Sequence, residues 1–415
     1  MSVARAIQGA GAGFTIPSAL ALLTTTYPLG PERTFALSMF GGAACIGQTI
    51  GVLLGGVFDA TIGWYWIFFV TAIISASLSI AGFFIISKVN DNPASADRRI
   101  DYFGVLLFML GVVAVVFYLS ESNTAGWSSA KTLTPFVIGL VVLATFVWWE
   151  LRVEYPIMPF RIWKSRRFAS SVVVIICVTA TYNTMIFYTS LTSQNVLHYT
   201  PINTALTYIV HGVGLVIGLY TVTRLFKYIR TKFIMGIGWV FIIASSVIFA
   251  QIVPTSTYWQ LAFPAFIINC LGLSPTWMCC QVNAVADAKD EDQGVVGAVF
   301  NVAMQLGGPL GLAISTIMSQ SKTPAGAEGE ALMDGYSAAF YTYGVIGGVG
   351  LLLALILASN QDPAEFSDEA PKKSENLFDV EALGSSEIIE AKGQATSSLS
   401  SSSSISPTVI EEEKN

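Results

Sequence analysis

Arg5 and Gln8 stand three residues apart in the run Arg5-Ala-Ile-Gln8-Gly9-Ala-Gly11-Ala-Gly13, on one face of any helix they form. A cation and an amide set side by side in an apolar segment either face a polar cavity or partner, or snorkel to a membrane edge. Other polar and aromatic side chains recur inside long apolar stretches: Tyr182, Asn183 and Tyr188; Asn269, Trp277 and Gln281; and Asn301 with Gln305, four apart. Each of these either lines an amphiphilic cavity or hydrogen-bonds to a neighbouring helix. His211 titrates near neutral pH in ordinary surroundings, although a lone histidine in such a stretch also fits a structural role. His198 and His211 are the two histidines, and neither has acid–base or metal-ligand spacing. No glycine-lysine loop suited to cradling phosphate occurs. Cys45, Cys177, Cys270, Cys279 and Cys280 all lie in apolar stretches and suggest neither a disulfide framework nor a metal site. The pattern excludes an enzyme and calls for no cofactor and no metal.

The elements that must position these residues are membrane helices. Of the 415 residues, 53% are hydrophobic and 12% charged, with a mean hydropathy of +0.63, whereas soluble proteins carry about 25% charged residues. A spanning helix needs about 20 mostly apolar residues. Eleven stretches qualify: 3–26, 35–58, 64–87, 102–120, 134–150, 168–192, 204–222, 233–253, 260–282, 295–318 and 337–358. Trp148 and Trp149 read as part of an interfacial aromatic belt. The expected class is therefore an all-α membrane protein of about 11 transmembrane helices.

Basic residues set the expected orientation. Alternate loops hold 14 of them (Arg33; Lys88, Arg98, Arg99; Arg152, Arg161, Lys164, Arg166, Arg167; Arg224, Lys227, Arg230, Lys232; Lys289), against Lys131 and Lys322 in the others. The richer set belongs in the cytoplasm. The net charge of −6 resides in the tail, where 361–415 holds 12 acidic and 4 basic residues. That tail, with its run Ser400–Ser404, lacks the apolar content to bury a core and is expected to be disordered and solvated or regulatory. Nothing points to nucleic acid.

Several motifs carry a family resemblance. The Arg5–Gly13 run resembles the R-x-x-Q-G-x-G-A motif in the fourth helix of major facilitator drug:proton antiporters. Gly47, Gly51 and Gly55, with Gly56 adjacent, form a smooth packing stripe and resemble the fifth-helix G-x-x-x-G-P-x-x-G-G motif, with Val52 where the family has proline. Gln305-Leu-Gly307-Gly308-Pro309-Leu-Gly311 is a related arrangement, as an internal repeat would produce. Tyr27–Arg33, Gly63-Trp64-Tyr65-Trp66-Ile-Phe-Phe69, Asp101–Gly104, Glu150 with Pro156–Pro159, and Asp292–Gly297 resemble successive segments of the fungal fourteen-spanner branch, the aminotriazole-resistance-like group being nearest.

The resemblance covers residues 1–358 and implies a major facilitator fold with the N-terminal half incomplete. The spans correspond to helices four to fourteen, without the first-helix acidic residue that such antiporters use for proton coupling. The implied organisation is 1–87 for the last three helices of the N-terminal half, 88–167 for two inserted helices, 168–358 for a complete six-helix C-terminal half, and 359–415 for the tail. The implied function is proton-coupled efflux of small organic compounds or drugs. An importer or inorganic-solute permease for borate or ammonium stays open, as does a truncated, non-transporting membrane protein. Arg5, Gln8, Gly47, Gly51, Gly55, Gly56, Gly308 and Pro309 take the proton-coupling or gating roles. Tyr182, Asn183, Tyr188, Asn269, Trp277, Gln281, Asn301 and Gln305 line the substrate path. The expected partners are a small-molecule substrate, protons and the lipid bilayer, for a monomer in the plasma membrane or alternatively the vacuolar membrane.

Overall fold

The computed structural model describes residues 2–27, 31–85, 101–226, 228–288, 292–324 and 329–357. The expected tail, and Lys88, Arg98, Arg99, Lys227 and Lys289 of the expected cytoplasmic loops, lie outside the described residues. Helices run α1 Ser2–Thr26, α2 Pro31–Ala60, α3 Trp66–Ile85, α4 Tyr102–Ala125, α5 Ala130–Glu150 and α6 Arg166–Leu191. They continue as α7 Pro201–Leu225, α8 Thr231–Ala250, α9 Ala262–Val285, α10 Gln293–Lys322 and α11 Glu330–Leu357. No strand occurs among the described residues. Each of the eleven apolar stretches is a helix, because lipid offers no partner for backbone N–H and C=O groups and a helix satisfies them internally. Ten of the helices are long and apolar enough to cross a membrane. The glycine-rich α1, with Arg5 and Gln8, is not in that set.

Local signals fix the helix ends. Asp101 caps α4 by accepting from the Gly104 N–H at 3.0 Å, and its second oxygen accepts from Trp149 Nε1 of α5 at 2.7 Å. Ser165 caps α6 through the Phe168 N–H, and Thr200 caps α7 ahead of Pro201. Arg166, in the first turn of α6, donates to the Ile356 and Leu357 carbonyls at the end of α11, so those two ends share one side of the bundle. Arg161–Asp292 (2.8 Å) and Arg167–Asp287 (3.2 Å) add ion pairs linking the approach to α6 with the ends of α9 and α10. Glu150, at the exit of α5, accepts from the Met158 N–H at 2.5 Å and so holds the Pro156–Pro159 turn.

Helices pack where small residues let backbones approach, since lipid tails supply little hydrophobic drive between helices. A Cβ at Gly272 on α9 would meet the Ile242 backbone nitrogen of α8 at 2.8 Å and the Gly238 carbonyl. On α10, Gly307 and Gly311 press on the Ile176 and Ala180 carbonyls of α6. Gly111 and Gly139 bring α4 and α5 together. On α2, Gly56 leaves no room for a side chain against α7, where Ala205 Cβ would stand 2.6 Å and the Pro201 carbonyl 2.9 Å away. The six helices α6 to α11 share a dense core containing Ile175, Val178, Met185, Trp239, Ile242, Phe266 and Phe340. By contrast, α3 buries none of its residues.

Candidate functional site

A cavity of about 110 Å³ lies where α2 meets α6, α7 and α9. From α2, Gly41, Ala44 and Gln48 face it at spacings of three and four, one face of a helix. Leu215 and Leu219 contribute one turn of α7. Tyr182 enters from α6, and Leu273, Ser274 and Trp277 from α9. The described lining carries no formal charge. Tyr182 and Trp277 meet edge to face at 78°, with centroids 6.4 Å apart, and so form an aromatic corner. The Ser274 hydroxyl is occupied, donating to the Leu215 carbonyl at 3.0 Å.

Gln281 continues the same face of α9, one turn beyond Trp277. Its side chain is 8% exposed, and its Oε1 lies 3.6 Å from where Gly41 would carry a Cβ. That buried oxygen accepts no hydrogen bond from the protein. Buried acceptors are rarely left so.

Behind Tyr182 lies a second polar group. The His211 ring stacks on Tyr182 with centroids 6.0 Å apart, and its Nε2 donates to Asn269 Oδ1 at 3.2 Å. Asn269 Nδ2 donates to the Tyr343 hydroxyl at 2.6 Å, which lies 2.7 Å from Ser245 Oγ, and Ser245 donates to the Ile242 carbonyl. Every proton in this chain has an acceptor when Tyr343 donates to Ser245. The network joins α7, α9, α11 and α8 without an unpaired group, which favours one helix arrangement over alternatives.

The structure separates the residues anticipated from sequence. Tyr182 and Trp277 line the cavity, and Gln281 stands at its end. Asn269 turns into the buried network. Asn183 donates to the Thr179 carbonyl at 2.9 Å and packs on Gly308, 3.0 Å from where a Cβ would be. Tyr188 is buried between α6, α10 and α11, with its hydroxyl 3.4 Å from Thr316 and its ring against Tyr336 and Phe340. On α10, which does not reach the cavity, Asn301 and Pro309 are half-buried and Gln305 is exposed. Arg5 donates to Gln8 at 3.0 Å, and its guanidinium lies 5.0 Å from the Phe68 ring centroid on α3. In the α2 stripe, Gly56 is pressed against α7 and Gly55 faces Ile67 of α3, while at Gly47 and Gly51 a Cβ would have no atom within 4 Å. Gln48 joins the site without having been expected there, although a mid-helix amide in an apolar stretch is a legible signal. Leu215, Leu219 and Leu273 carry no signal that separates them from lipid-facing leucines.

An all-helical bundle with a cavity between packed membrane helices defines a multi-pass membrane transport protein. Residues 1–312 match the profile of the Major Facilitator Superfamily, and the chain belongs to that family. It is thereby a transporter and not an enzyme. The chain is 29% identical over 367 residues to a major facilitator superfamily multidrug transporter of Aspergillus fumigatus, covering 86% of this chain and 69% of the relative. It is 29% identical over 366 residues to a puromycin resistance protein of Streptomyces alboniger, covering 86% and 72%. It is also 24% identical over 366 residues to a low affinity ammonium transporter of Saccharomyces cerevisiae, covering 85% and 69%.

Proposed function

We propose that this transporter exports small organic compounds, coupled to protons, by rocking of α1–α3 against α6–α11 about the cavity between α2 and α6, α7 and α9. The observation that carries the reading is the lining itself: two aromatic rings, three leucines and uncharged amides suit an amphiphilic organic molecule. The multidrug and puromycin-resistance relatives support export. In this scheme 1–87 and 168–358 are the moving halves, 88–167 is an inserted pair, and the chain works as a plasma-membrane monomer of the fungal fourteen-spanner branch. Gly47, Gly51, Gly55 and Gly56 form the seam that slides, and Gly308 with Pro309 lets α10 bend on α6. Arg5, steadied by Gln8, biases protonation or substrate release.

The test is puromycin efflux from cells producing the full chain in a strain without other puromycin exporters. Outward flux is expected to rise with an inward proton gradient and to collapse with a protonophore. Flux indifferent to both would remove the coupling, and no flux with correctly inserted protein would remove the puromycin-type substrate.

A second reading, uptake of an inorganic solute such as ammonium or borate, draws on the ammonium-transporter relative and on Val52 in place of the antiporter proline. Uptake of radiolabelled methylammonium under a reversed gradient separates the two. The apolar, uncharged lining favours the organic substrate, because a small cation there would lose its hydration without a counter-charge.

A further inference from the structure

The cavity is built for a narrower class of molecule than its apolar walls alone would admit. Its volume of about 110 Å³ is of the order that holds one benzene-sized ring, as apolar cavities of about 150 Å³ do. The edge-to-face pair of Tyr182 and Trp277 offers a right-angled corner to a flat ring. No formal charge lines the space, so a carboxylate or ammonium would enter at the cost of its hydration. At the end of the same α9 face stands Gln281 Oε1, buried, unpaired and turned toward Gly41 of the cavity wall. The Ser274 hydroxyl cannot serve it, being committed to the Leu215 carbonyl. Gly41 matters here because it leaves the amide's surroundings open: a Cβ would sit in contact with both Gln281 Oε1 and Leu219.

We propose that this cavity selects uncharged, single-ring aromatic compounds bearing a carboxamide-type N–H, with the ring in the Tyr182–Trp277 corner and the N–H donating to Gln281 Oε1. This rests on the cavity being the substrate site and adds the chemistry that the site recognises. A ligand without the donor leaves the acceptor unpaired, and a ligand with a carboxylate sets like partial charges against each other.

The test uses three probes of nearly one shape: benzamide, N,N-dimethylbenzamide and benzoate. Equilibrium binding of tritiated benzamide to the full chain in lipid nanodiscs is measured directly, and the other two are measured as competitors. Benzamide is expected to bind at least about tenfold more tightly than either, the discrimination that an unpaired buried acceptor demands. In Gln281→Leu the advantage over N,N-dimethylbenzamide should vanish while ring binding persists. In Leu219→Trp, which fills the cavity, all binding should be lost. Equal binding of the three probes, still blocked by Leu219→Trp, would overturn the carboxamide selection and leave the cavity as the site. Binding that survives Leu219→Trp, or no binding of any probe to folded protein, would overturn the cavity itself. The comparison of the three probes on the unaltered chain stands even if Gln281→Leu fails to fold.

Discussion

The rings of Tyr182 and His211 lie 22° from parallel with centroids 6.0 Å apart, so a cavity-lining side chain rests directly on the head of a buried hydrogen-bond chain. From His211 that chain passes through Asn269 and Tyr343 to Ser245, tying α7, α9, α11 and α8 together. A ligand that shifts Tyr182 therefore pushes on a contact shared by four helices, which gives the cavity a mechanical link to the far side of the bundle.

The network makes a first prediction. Tyr343→Phe removes the acceptor of Asn269 Nδ2 and the donor to Ser245. Interhelical hydrogen bonds in membranes average about 0.6 kcal/mol, so the loss should be about 1 kcal/mol, read as a lowered midpoint of thermal unfolding in detergent. Adding Asn269→Leu to Tyr343→Phe should cost less than the sum of the single changes, because the two residues share one bond. Strict additivity would show that the pair is uncoupled.

The glycines of α2 should behave unequally despite their regular spacing. At Gly56 a Cβ would collide with Ala205 and with the Pro201 carbonyl, which is backbone and cannot swing aside. Gly56→Leu should destabilise by about 1–3 kcal/mol, the range for overpacking, or abolish the folded monomer on size exclusion. Gly47→Ala and Gly51→Ala meet no atom within 4 Å and should leave the unfolding midpoint unchanged or raise it, since alanine is the better helix former.

Polar residues that look alike in sequence should separate in binding assays. Tyr182→Ala and Trp277→Ala remove the aromatic corner and should weaken benzamide binding by about tenfold or more, each change losing a buried ring contact. Tyr188→Phe and Gln305→Ala lie away from the cavity, one inside the bundle core and one exposed, and should leave the same affinity unchanged.

The α4–α5 pair carries its own lock. Asp101 serves both as the cap of α4 and as the acceptor for Trp149 Nε1 of α5. Asp101→Ala should lower stability by about 1 kcal/mol from the cap alone. Asp101→Asn keeps an oxygen for one bond and should lose less. Unfolding monitored by tryptophan fluorescence separates the two variants.

Much of the Asp101–Gly104 and Glu150–Pro159 signatures is explained by these caps. The residues are conspicuous as a family resemblance, and their bonds at 3.0 Å and 2.5 Å to backbone N–H groups show a structural use. The aromatic corner is half visible in the sequence: Tyr182 and Trp277 stand out as polar-tipped rings inside apolar stretches, but nothing in their spacing pairs them. Asn269 and Tyr188 stand out for the same reason and face the interior of the bundle instead. His211 is legible as a buried histidine, while its partners, on helices α9 and α11, come from positions 58 and more residues away.

The sequence alone determined that the chain is a bundle of membrane helices, roughly where each begins and ends, and which family it resembles. Those properties are local: hydropathy is summed over about 20 residues, and a cap needs only the next three. Only the tertiary structure decided which face of each helix meets which neighbour. In lipid an apolar residue is stable facing outward or inward, so hydropathy leaves each helix free to rotate about its axis. Close contacts such as Gly56 on Ala205, and shared bonds such as His211 to Asn269, remove that freedom. They turn Tyr182, Trp277 and Gln281 toward one cavity while Tyr188 and Gln305 look elsewhere.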